Sequence, residues 1–455
     1  MTRKISLALP FILVCTVLLA ASNPVPLIYQ PLSPTSVPPG NPAFTLTVHG
    51  TGFVSGAVIK SDGVALKTQF VSSTTLEAAV PASAVAHSGT ATITVANPGS
   101  IDSNVIYFTV RKPSTTGTVK ASPAAIENGF QAVGDFNNDH RPDIVVSSVD
   151  VDVYLNAGKG KFNKVGGPEF DQLVHYAPAV VADFNNDGNL DVAPCGGDGS
   201  GYSPSSCSIL FGDGKGNLTY APNGQYIFPG VMADINGDGI LDNIAVWEAG
   251  GPDNLAIYLG KGDGTYTNVT MLPTNYAVGL PVVGDFNGDG KLDVAMPAGV
   301  GDKSMVAVFL GNGDGTFQNE VDYTIPHGGA LAVADLNGDG KLDIVSGGFS
   351  VLMGNGDGTF TLGASLDLDD PAPIQVADVN GDGKLDLVTD TYVNSVSSLA
   401  ILLGNGDGTF QHPITVATPG GGAISGVADF NGDGLLDFAI QASPQSSVLL
   451  QAPSK

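Results

Sequence analysis

Asp285-Phe286-Asn287-Gly288-Asp289-Gly290-Lys291-Leu292-Asp293 is the stretch on which the reading of this chain turns. It places an oxygen-bearing side chain at positions 1, 3, 5 and 9 and a Gly at position 6. One such stretch is weak evidence, because Asp, Asn and Gly also build ordinary turns. Here it stands in register seven times, starting at Asp135, Asp183, Asp234, Asp285, Asp335, Asp378 and Asp429. Every copy has Asp at positions 1, 5 and 9 and Asn at position 3. The copies are roughly 50 residues apart, the period of an array of supersecondary units.

Working outward from the loop, each repeat reads as four strands. In the fifth, an apolar stretch at 331–334 leads into the motif, a second follows at 344–345, and a third at 351–353 runs into GNGDGTF at 354–360. That segment carries an Asp-Gly hairpin signal. The same turn recurs at 260–266, 311–317 and 404–410, and more weakly at 156–162 and 212–218. Four short strands at this period predict an all-β fold, a seven-bladed β-propeller over residues 118–455. The seventh repeat ends after 448–450 without a fourth strand, while 117–122 precedes the first motif and has no repeat of its own. We expect that segment to fill the missing outer place, which leaves no long edge open; a plain linker strand is the alternative. Residues 24–112 lack the motif and alternate apolar with polar between Gly- and Pro-rich turns, which predicts a small β-sandwich. A linker at 113–117 follows.

Composition agrees. Of 455 residues, 61 are Gly and 43% are apolar, so the chain can bury a core and is not of the disordered class. A net charge of −26 argues against nucleic acid as a partner. Residues 1–22 open with Arg3 and Lys4, continue through an apolar run and end in Ala20, Ala21 and Ser22, which reads as a cleaved secretory signal. An uncleaved anchor is the alternative, though the run is short for a membrane span. No span is expected after cleavage, so the protein is expected to be secreted or held at the cell surface. Cys195 and Cys207 are then the remaining thiols, and an even count in an exported protein predicts a disulfide, with two unpaired thiols as the alternative.

The motif suits Ca²⁺, a hard cation that takes six to eight oxygens. Positions 1, 3, 5 and 9 would give side-chain oxygens and position 7 its carbonyl. The predicted ligand sets are Asp135, Asn137, Asp139, Arg141 and Asp143; Asp183, Asn185, Asp187, Asn189 and Asp191; and Asp234, Asn236, Asp238, Ile240 and Asp242. They continue with Asp285, Asn287, Asp289, Lys291 and Asp293; Asp335, Asn337, Asp339, Lys341 and Asp343; Asp378, Asn380, Asp382, Lys384 and Asp386; and Asp429, Asn431, Asp433, Leu435 and Asp437. Gly at position 6 permits the sharp turn. No copy has the acidic residue at position 12 that an EF-hand requires. Up to seven Ca²⁺ are expected, in a structural role. Plain turns are the alternative, and Mg²⁺ suits the loops less because it prefers rigid octahedral geometry. The first copy departs at position 6, where His140 would need a positive φ that costs a non-Gly residue energy.

These motifs resemble FG-GAP or VCBS repeats, the calcium-binding blades of integrin-α-like propellers. The resemblance covers about 117–455 and implies Ca²⁺ held between the first two strands of each blade. The N-terminal part, with LSPTS at 32–36, GTGF at 50–53 and VPA at 80–82, resembles IPT/TIG domains. Those are immunoglobulin-like and serve interaction or spacing. Strand parity places the Asp loops and the Asp-Gly turns on one side and the irregular loops 196–206, 248–254, 297–304 and 390–398 on the other. Tyr202, Tyr226, Trp247, Tyr276 and Tyr392 fall there, and exposed aromatics suit sugar or protein contact; packing within each blade is the other reading. The histidines are scattered, with no His-Glu-x-x-His or Gly-x-Ser-x-Gly. The expectation is a binding or adhesion module for an extracellular protein or glycan, not an enzyme. An extracellular structural component, or a lectin or carbohydrate-active enzyme using the loop side, is the alternative.

Overall fold

The computed structural model describes residues 24–452 apart from 115–118, 122–125, 128, 149, 170–173, 198–205, 248–253, 275–278, 301–302, 366–373, 394–395, 419–421 and 443–444. The expected signal at 1–22 lies outside them. The described chain is all β, with two short 3-10 turns at Ala82–Val85 and Pro222–Gly224 and no α-helix. No helix among the described residues is long and apolar enough to cross a membrane.

Each repeat forms its own antiparallel sheet. In the fifth, Leu331–Ala334, Asp343–Ser346, Ser350–Gly354 and Phe360–Ser365 pair in chain order. The second strand is buried at every residue, on both faces. A strand is covered on both faces only when its sheet is packed from both sides. The apolar clusters show what covers it. Phe286, Val306, Val308, Ile344, Leu352 and Phe360 pack the fourth sheet on the fifth, and Val345, Val351, Leu387 and Leu402 pack the fifth on the sixth. Ile126, Ile144, Tyr154, Phe430, Ala439 and Val448 pack the seventh on the first.

The first strand of each sheet lies beside the first strand of the next, and Phe130–Gly134 of the first sheet lies beside Ala423–Ala428 of the seventh. Backbone bonds cross between neighbours. Gly216 N–H donates to the Phe136 carbonyl at 3.0 Å, Gly264 to Phe184 at 3.0 Å and Gly358 to Phe286 at 3.1 Å. Between the first and seventh sheets, Asn156 Nδ2 donates to the Phe430 carbonyl at 3.0 Å. The seventh sheet takes Val119–Ala121 as its outer strand, antiparallel to Gln445–Gln451 with Val119 opposite Gln451.

The second sheet is the irregular one. Its third strand is broken into Ser206–Ser208 and Leu210–Gly212, and Tyr226–Ile227 pairs with the first piece. Cys195 and Cys207 stand opposite each other there, 3.9 Å apart at Cα, and form a disulfide.

The N-terminal unit has two sheets. One orders Leu27–Ile28, Phe44–Thr51, Thr75–Val80 and Lys67–Phe70, and the other Ser36–Val37, Ile106–Val110, Gly89–Ala96, Val58–Ser61 and Val64–Ala65. Leu46, Val48, Ile59, Leu76, Ile93, Val95 and Phe108 form their common core. The unit sits on the side of the array that carries the Asp loops. A Cβ at Gly188, Gly239 or Gly381 in those loops would collide with Ile101, Pro24 or Arg111 of the unit.

Candidate functional site

Each nine-residue loop joins the first two strands of its sheet and is tied by the same bonds. In the fourth, Asp285 Oδ1 accepts the Asp289 N–H at 3.1 Å and Oδ2 the Gly290 N–H at 2.8 Å. Asn287 Oδ1 accepts the Asp289 N–H at 2.8 Å, and Asp289 Oδ1 the Lys291 N–H at 3.0 Å. The chain therefore winds around its own carboxylates. That winding requires a left-handed backbone at position 4 as well as position 6: Gly288 has φ 71° and Gly290 φ 82°. In the first loop Asn138 and His140 adopt these conformations, with φ 58° and 65°. Position 6 was legible in the sequence. Position 4 was not singled out, although Gly or Asn fills it in every copy.

Position 9 has a second task that sequence reasoning missed. Asp293 is fully buried; Oδ2 accepts the Phe286 N–H at 2.9 Å and Oδ1 the Gly311 N–H at 2.8 Å. Phe286 belongs to the Asp loop, whereas Gly311 opens the Asp-Gly turn. One carboxylate thus fastens together the two motifs that recur in the sequence. The bond to the turn is repeated by Asp143 with Asn156, Asp191 with Gly212, Asp242 with Gly260, Asp343 with Gly354, Asp386 with Gly404 and Asp437 with Gln451.

Burial makes these carboxyls reluctant to ionise. It pushes Asp143, Asp242, Asp293 and Asp386 up to about 7, Asp191 and Asp437 up to about 8 and Asp343 up to about 6. At position 1 burial raises Asp183 and Asp234 to about 6, with neighbouring Asp187 and Asp238 adding to the rise. Among the described residues, no group of three or more Asp, Glu, His or Cys stands in metal-holding geometry; the loop oxygens face backbone N–H groups instead. The donor chemistry still fits a hard divalent cation, because three carboxylates, an amide and a carbonyl lie within nine residues. Desolvated carboxylates are the groups that a cation would relieve.

The first loop differs in charge as well. Arg141 Nη2 pairs with Asp139 Oδ2 at 2.7 Å, and His140 Nδ1 lies 3.5 Å from Asp135 Oδ2. The position-7 side chain there returns to the position-5 acid. Lys291 and Lys341 do so more loosely, at 3.8 and 3.7 Å.

On the opposite side, Tyr392 is exposed at 52%; Tyr226, exposed at 56%, stands apart from it, packed edge-on against Phe228, which stacks on Tyr258 two residues ahead of the turn that Gly260 opens. Tyr202, Tyr276 and the side chain of Trp247 lie outside the described residues, as do parts of all four irregular loops. The first strands surround a cavity of about 1390 Å³ whose wall includes Val133, Val181, Val231, Val283 and Val333. Tyr29 and Tyr107 of the N-terminal unit reach it from the loop side.

Comparison with known families matches residues 135–193, 234–296, 298–346 and 389–440 to the FG-GAP-like repeat and residues 27–110 to the IPT/TIG domain. No curated protein matches the chain. Two solved structures align over 95% of this chain and 98% of their own, each at 12% identity and a TM-score of 0.37. One is an auxiliary nutrient binding protein from Bacteroides ovatus ATCC 8483; the other is a protein from Bacteroides thetaiotaomicron VPI-5482 provisionally described as a phosphatase.

Proposed function

This chain carries four matched FG-GAP-like repeats behind an N-terminal IPT/TIG domain, and from that premise we propose that it is an exported, calcium-loaded seven-bladed propeller that binds an extracellular protein or glycan. The seven sheets are the blades. The circuit of neighbouring first strands, carried from the seventh sheet back to the first, supports that reading. The observation that carries the calcium assignment is the set of seven equivalent loops with buried position-9 acids.

Positions 1, 3, 5 and 9 and the carbonyl of position 7 would hold Ca²⁺. Bound there, it would neutralise the loop carboxylates, and binding only the native state would stabilise the fold by linkage. Calcium is structural in this reading, and ligand contact belongs to the side away from the loops. Tyr392 supports that choice, as a rigid amphipathic ring open to solvent. The function is binding rather than turnover.

Thermal unfolding with calcium and after chelation, together with a count of bound metal, tests the first half. A large fall in Tm on chelation with close to seven ions bound is expected; no bound calcium would remove the metal from the proposal. A glycan and protein-ectodomain binding array, repeated with Tyr392→Ala, tests the second half: binding that the variant loses supports this side, and binding that it keeps argues against it.

A further inference from the structure

The N-terminal domain aims hydroxyl groups at the loops. Ser36 Oγ, in the strand Ser36–Val37 of that domain, donates to Asp378 Oδ2 of the sixth loop. Thr90 Oγ1 donates to Asp429 Oδ2 of the seventh at 2.5 Å, and Thr74 Oγ1 to Asp285 Oδ2 of the fourth at 3.4 Å. Three residues from separate strands and turns thus reach the same atom of the same motif position. In each loop that oxygen also accepts the position-6 N–H, from Gly383 at 2.9 Å, Gly434 at 2.8 Å and Gly290 at 2.8 Å. A donated hydroxyl favours the ionised carboxylate and fixes its direction, which is the state a cation requires.

Two further contacts belong to this surface. Arg111, buried at the end of the domain, donates from Nη2 to the Asp378 carbonyl at 2.8 Å and so clamps the sixth loop by its backbone. Above the third loop, the Tyr29 hydroxyl is buried between the Thr51 hydroxyl and the charge of Asp234.

Resting on the calcium reading above, we propose that the IPT/TIG domain is part of the cation sites: Ser36, Thr74 and Thr90 are positioning residues for the position-1 carboxylates, and seating of the domain and loading of the loops are one linked equilibrium. Linkage is reciprocal, so the factor by which seating tightens Ca²⁺ equals the factor by which Ca²⁺ tightens seating. The loop side is then a closed internal interface, and an external partner meets the chain elsewhere.

The test uses the full chain with Ca²⁺ as the probe. Hydrogen exchange in Phe44–Thr51 and Gly89–Ala96 is compared with calcium and after chelation, and calcium isotherms are compared for wild type and Ser36→Ala/Thr74→Val/Thr90→Val. Chelation is expected to speed exchange in these strands before global unfolding. The triple variant is expected to weaken three sites by about tenfold each, the effect of losing one charge-assisted hydrogen bond, while the others stay unchanged. Ser36→Thr and Thr90→Ser should restore their sites. Wild type that binds several calcium ions but shows the same exchange with and without them, and isotherms that the variants do not move, would overturn this inference alone. A wild-type chain that binds no calcium overturns the calcium reading and this inference together. The wild-type exchange comparison needs no substitution, so it decides the question even where a variant fails to fold.

Discussion

The two sides of the sheet array follow different rules. On the side of the Asp loops, seven segments of equal length share one backbone path, one set of internal bonds and one tie to the neighbouring turn. On the other side, connections vary in length, and the bonds are particular to single sheets: the disulfide of the second, the Asp390 Oδ1 bond to the Ile424 N–H between the sixth and seventh. Regularity on one side is what a repeated ligand set needs. Variation on the other is what a rigid scaffold permits where contact with a partner is made. A carboxylate on the regular side should therefore bear more structure than any single group on the variable side.

The strongest way to break that contrast is Asp293→Ala. It strips two buried backbone N–H groups of their acceptor, and chemical denaturation should show a loss of about 4 kcal/mol after chelation and a larger one in calcium, where a ligand is lost as well. Next is removal of the disulfide with Cys195→Ala and Cys207→Ala. The chain-entropy account gives about 3 kcal/mol for a loop of this size; an effect larger than that of Asp293→Ala would invert the ranking of the two sides. Gly290→Ala, at φ 82° with Ser72 close to the new methyl, should cost about 1.5 kcal/mol, whereas His140→Gly should gain about 1 kcal/mol by relieving the same conformation. Asp390→Asn has an effect that depends on pH. Burial raises Asp390 from 3.8 to about 6, so the native state holds a proton that the unfolded chain releases, and stability from this group falls as pH rises between those values. The variant should melt higher than wild type above pH 6 and identically below about pH 4.

Much of the regular side was legible because it is written in the chain repeatedly. The strands expected at 331–334, 344–345 and 351–353 lie within Leu331–Ala334, Asp343–Ser346 and Ser350–Gly354. The segment ahead of the first motif does fill the outer place of the seventh sheet. What stayed hidden was what does not repeat. Ser36, Thr74 and Thr90 occupy unrelated stretches of a different domain, and their common target exists only after both parts have folded and met. The second task of Asp293 was hidden for another reason: its partner Gly311 is a backbone group, and a backbone N–H leaves no mark in the residue code. Asn156 and Gln451 replace the Gly that opens the turn elsewhere, and their side chains reach carbonyls of the adjoining sheets, Phe430 and Val379. That exception becomes readable only once the seams are known.

The pairing of Val119–Ala121 with Gln445–Gln451 also sets a timetable. The earlier strand leaves the ribosome roughly 330 residues before its partner, which at 5–20 residues per second is a delay of about 15 to 60 seconds. Through that interval the nascent array holds one unclaimed strand at its start and adds one sheet after another beside it. The last strand to be made is the one that releases the first from waiting.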